Sequence, residues 1–101
     1  MIIHVIAANH SVELEDARNF RAFAIRIDGT LIDAAELLKA FTATVDGDHA
    51  WVSEQALREW RGLANEAWWQ EGLTKMIGAA QRFGWVDPNN NAIRAHIEYA
   101  P

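Results

Sequence analysis

A chain of 101 residues, half of them hydrophobic and 23% charged, has the size and composition of one folded α+β-type domain spanning 1–101, not of a disordered segment. Without a cysteine it can hold no disulfide framework, thiol nucleophile or thiolate metal site, and a cytosolic location is the expectation. Nine basic residues scattered among fourteen acidic ones, a net charge of −5, argue against nucleic acid or an anionic membrane as partner.

Ile2 to Ala8 is a β-branched, mostly apolar run interrupted by His4, and it predicts a well-covered strand. It is too short for a membrane span, which needs about 18 apolar residues. It also lacks the basic start of a signal peptide. Asn9, His10 and Ser11 break the run, and the polar, acidic Val12 to Asn19 reads as a loop or a single helical turn. Phe20 to Ile27 fits both periods. Its shortness and its ending in Asp28-Gly29, a pair suited to a tight turn, favour a strand.

Asp33, with Glu36 three residues on, has capping-box spacing and predicts the start of a first helix buried through Ala34, Leu37, Leu38 and Phe41. Thr42 to Val45 leads to a second turn pair, Asp46-Gly47. Ser53 is placed to cap a second helix with Ala56, Leu57 and Trp60 on its inner face, and Gly62 to end it. Asn65 is the expected cap of a third helix. From Trp69 the apolar residues Gly72, Leu73, Met76, Ala80 and Phe83 recur on one face of a 3.6-residue period. Gly84 ends it, and the Asp87–Asn91 turn and Ile93 to Tyr99 complete a hairpin. In that last strand Ile93, Ala95, Ile97 and Tyr99 face inward, while Arg94, His96 and Glu98 face out. The fold class expected is therefore α+β: about three helices on a small antiparallel sheet that includes the N- and C-terminal strands.

Two kinds of side chain suggest function. Five tryptophans crowd the second half of the chain, and Trp68 falls about 100° from the centre of the third helix's apolar stripe, beside Lys75. Cover from the Trp51 segment would make Trp68 structural. An exposed Trp68, with Trp51 and Lys75, would make a protein-interaction or self-association surface, a homodimer included. Gly78 on the outer face of that helix fits a second helix packing there.

Histidine is the other candidate, as the side chain that titrates near neutral pH. His49 beside Asp48, or His96 with Glu98, has the makings of an acid–base pair, and His4 would approach His96 if the terminal strands are neighbours. This gives an alternative reading as a small enzyme or ligand-binding protein. No short-range ligand spacing, Gly-rich phosphate loop or nucleophile elbow is present, so neither a metal nor a cofactor is expected. Ser53 is explained by capping. A helix–turn–helix followed by a hairpin also matches the order of parts in a winged helix, but its reading helix and its turn lack the positive charge that phosphates demand.

Overall fold

The computed structural model describes residues 1–100. The fold is α+β, with three helices packed on a seven-stranded sheet. The strands are β1 (Ile2–Ile6), β2 (Ser11–Glu15), β3 (Ala24–Asp28), β4 (Thr42–Asp46), β5 (His49–Ser53), β6 (Val86–Asp87) and β7 (Ala92–Tyr99). The helices are α1 (Leu31–Lys39), α2 (Glu54–Arg58) and α3 (Ala67–Gln81). The sheet runs β2-β1-β3-β7-β5-β4, with β6 added to one side of β7. It is larger than the sequence suggests, and mixed, because β1–β3 and β3–β7 pair in parallel. The two expected terminal strands are both present, but β3 lies between them.

Several local expectations are corrected. Val12 to Asn19 is not a loop throughout, since Ser11–Glu15 forms an edge strand against β1. His10 makes this possible by taking a left-handed conformation (φ 52°) after one 3₁₀ turn. The strand within Phe20–Ile27 is real but begins only at Ala24. Thr30, not Asp33, caps α1: its hydroxyl accepts from the Asp33 amide at 3.1 Å, so the helix starts a turn earlier. Ser53 does cap α2, accepting from the Ala56 amide, and Glu54 pairs with Arg58 at 2.7 Å. That helix stops at Arg58, short of Gly62. Asn65 does not cap α3; Glu66 occupies the cap with no side-chain bond. The expected turn at Asp46-Gly47 closes a hairpin, in which Gly47 supplies the positive φ (60°) between β4 and β5.

Burial alternates along β1, β3, β5 and most of β7. Ile3, Val5, Ile25, Ile27, Ala50, Val52, Ile93, Ala95 and Ile97 are all at most 3% exposed and lie on one face. Each fully buried Ile or Val contributes about 1.5–3 kcal/mol, so this is the face that holds the helices. Leu38 of α1, Leu57 of α2 and Trp69, Leu73, Met76, Ile77 and Ala80 of α3 join the same core. The opposite face carries His4, Arg26, His49, Trp51, Arg94, His96 and Glu98 and has no helix over it.

The chain crosses from β2 to β3 beneath the start of β1. There the Met1 ammonium donates to the carbonyls of Asn19 (2.7 Å) and Ala22 (2.9 Å). Burial lowers its pKa from 8.0, opposed by the charge of Asp16. No helix among the described residues is long and apolar enough to cross a membrane.

Candidate functional site

β7 is flanked unevenly on the side away from β5. Its first residues pair with β6 (Val86 with Ile93, Asp87 with Ala92), and from His96 onward it pairs with β3. Between them only the Arg94 amide is engaged, by the Trp85 carbonyl at 2.8 Å. This interruption leaves a cleft of about 570 Å³ between β7, the C-terminal half of α3 and the segment before β3. The volume is within the range of small-molecule sites, about 300–1,000 Å³.

Its walls are mainly apolar. Phe20 and Phe23 come from the segment before β3, Met76 from α3 with two alanines, Ile93 from β7, and Phe83 and Trp85 from the connection to β6. The sequence pattern places Phe83 on the buried stripe, but it is 66% exposed and Trp85 is 44% exposed. The reason is that α3 ends at Gln81, so the helical period no longer carries Phe83 inward. The two rings stack on each other, centroids 4.7 Å apart at 23°.

The polar part of the lining is entirely basic or imidazole: Arg21, Lys75, Arg94, His49 and His96. Sheet register explains three of these. His49 of β5 is directly opposite His96 of β7, and Arg94 is two residues from His96 on the same face. The imidazoles meet edge to face, centroids 5.5 Å apart. Arg94 Nη2 lies 3.2 Å from His49 Nε2 and 3.3 Å from Nδ1. A guanidinium only donates, so the nitrogen it engages presents a lone pair.

Of the residues singled out from sequence, His49, His96 and Lys75 thus converge on one cleft. Trp68, Trp51, His4 and Glu98 do not. Trp68 is half-buried by its own chain, edge-on to Phe20 (6.4 Å) and Trp69 (6.1 Å), with the Arg18 guanidinium 4.0 Å from its ring centroid. The cover comes from the segment before β3 and not from Trp51, which is half-buried on the open face opposite Arg94. Glu98 is on that face too, in register with Arg26 and away from the cleft. Comparisons with protein-family models, curated proteins and solved structures give no match. The site has to be read from its own geometry.

His4 belongs to a separate cluster. Its Nδ1 is 2.6 Å from Glu15, and its other ring nitrogen is buried without a partner. With Glu13 it offers three donor atoms within 4.8 Å of one another, an arrangement that could hold a divalent cation. Arg26, 3.4 Å from Glu15, already neutralises that carboxylate and would repel an ion. The cluster is accounted for as an ion-paired ladder across β2, β1 and β3.

The cleft residues that sequence reasoning missed are Phe20, Arg21, Phe23, Phe83, Trp85 and Arg94 as site elements. One signal was visible: Arg94 and His96 share a strand face at period two. Their meeting with His49 depends on a pairing between residues 45 or more apart, which no local pattern specifies.

Proposed function

We propose that this domain binds a small organic molecule in the cleft between α3 and β7. The observation that carries the reading is the exposed Phe83–Trp85 stack at the mouth of an otherwise apolar recess. Two large aromatic rings left in water make no folding contribution that matches their size, whereas a bound ligand would cover them. His49 and His96 sit at the rim, where they could also serve acid–base chemistry on what is bound.

The other reading, a protein-interaction or self-association module built on Trp68, Trp51 and Lys75, has less support. Both faces of that idea rest on Trp68, whose ring is occupied by Phe20, Trp69 and Arg18 of the same chain. A cytosolic setting, suggested by the cysteine-free composition, suits a small-molecule binder equally well.

The test is NMR titration of the ¹⁵N-labelled protein with a neutral flat probe, 2-naphthol. Saturable shifts are expected at the Trp85 indole and at the Ile93–His96 amides. In Phe83→Ala and Trp85→Ala they should weaken about tenfold or more, with the rest of the spectrum unchanged. Binding of equal strength in both variants, or shifts confined to β1, β2 and β4, which contribute nothing to the cleft lining, would refute the proposal.

A further inference from the structure

The charge around the cleft points to the chemical class of its ligand. Three of the nine basic residues and two of the four histidines line it, and none of the fourteen acidic residues does. In a chain of net charge −5 this is a local reversal of sign. Arg21, Lys75 and Arg94 come from three different parts of the chain, and among the described residues none has a carboxylate within 4.0 Å. Of the six other basic residues, Arg26, Lys39 and Arg58 are ion-paired and Arg18 caps the Trp68 ring, whereas Arg61 and Arg82 lie apart from the cleft without a carboxylate partner among the described residues, so it is the convergence of three cations on one recess that marks the site.

We propose that the ligand is an organic acid, a carboxylate on an apolar aromatic or aliphatic body; this rests on the cleft being a ligand site. The carboxylate is held at the Arg94–His49–His96 corner and the body lies along Phe83 and Trp85. Arg94 has five N–H groups, and among the described residues its one side-chain partner is His49, through Nη2. Its free edge suits the bidentate geometry that guanidinium makes with a carboxylate. His49 braces the guanidinium from the neighbouring strand, so the fork is oriented before the ligand arrives. Lys75 and Arg21 add long-range attraction at the mouth.

The experiment compares compounds with the same apolar body and different head groups: 4-phenylbutyrate, 4-phenylbutyramide and 4-phenylbutylamine, with decanoate and decanol as the aliphatic pair. Binding is read from the Trp85 indole and the Arg94 and His96 amides. The acids should bind about tenfold tighter than the amide or alcohol, and the amine weakest. Arg94→Gln should remove the preference for acids, read as the ratio of acid to neutral-probe affinity, and Lys75→Gln should reduce that ratio by a smaller factor. Equal affinity of acid and amide, or an acid preference that survives Arg94→Gln, would overturn the inference while the cleft reading stands. Failure of every probe to move the Trp85 indole would overturn the cleft reading itself.

Discussion

Along the first half of α3, Trp68 packs edge-on and Trp69 tilted against Phe20, whereas just past its C-terminal end Phe83 and Trp85 stack on one another in water. The first half is sealed. Trp69 is fully buried and its indole donates to the Leu57 carbonyl at 2.8 Å. Arg58 of α2 reaches Gln70 and Thr74, and Gln70 answers by donating to the carbonyls of Arg58 and Ala64. Beyond Lys75 the helix is held by the burial of Met76, Ile77 and Ala80, with no comparable side-chain hydrogen bonds among the described residues, and the cleft opens beside it. Tryptophan content alone is thus a poor guide to function. What matters is whether another part of the chain has already used the ring.

The two glycines of α3 divide the same way and offer the sharpest tests. A Cβ at Gly72 would lie 2.2 Å from the Phe20 ring, so Gly72→Ala must displace that ring from Trp68 and Trp69. Overpacking of this kind costs about 1–3 kcal/mol, enough to outweigh the ~1 kcal/mol that Ala gains in helix propensity. A lowered denaturation midpoint in urea is expected; an unchanged one would show that the first half is not sealed. Trp68→Ala comes next, with a loss of about 1–2 kcal/mol from partial burial and the Arg18 contact. The mass by light scattering should be the same as that of the parent protein at every concentration. A mass that falls with this substitution would return Trp68 to an intermolecular role and erase the contrast drawn above. Smallest is Gly78→Ala. Nothing lies within 4 Å of a Cβ there, so the change should stabilise by about 0.5–1 kcal/mol without disturbing probe binding. Gly78 has no explanation within the chain.

Legibility followed the range of the interaction. Strong local periods were readable: α3 from Trp69 to Ala80, the alternation of β7 as far as Ile97 (Tyr99, expected inward, is 48% exposed at the strand's end), the Ser53 cap and the Glu54–Arg58 pair. Misreadings came where a backbone detail decides. Thr30 outcompetes Asp33 because its hydroxyl falls one turn earlier, and β2 was hidden by its charged residues Glu13 and Glu15, which belong on an edge facing water. Gly72 was legible as a member of the apolar stripe, but not that the Phe20 ring packs against it. Of the site, the histidines and Lys75 stood out by type, but their assembly needs the β3–β7 and β5–β7 registers, which are set by contacts distant in sequence. The parallel placement of β3 between the terminal strands was likewise beyond local pattern.

The two outer strands carry a consequence for how copies of this chain meet. β2 presents Glu13 and Glu15, and β4 ends in Asp46 and is irregular between Thr42 and Thr44. Docking one rim of the sheet onto the other would set acid against acid, and the kink would spoil the hydrogen-bond register on one side. Fibril-like growth by strand addition is disfavoured at both margins, which keeps a wide, half-uncovered sheet compatible with a discrete molecule.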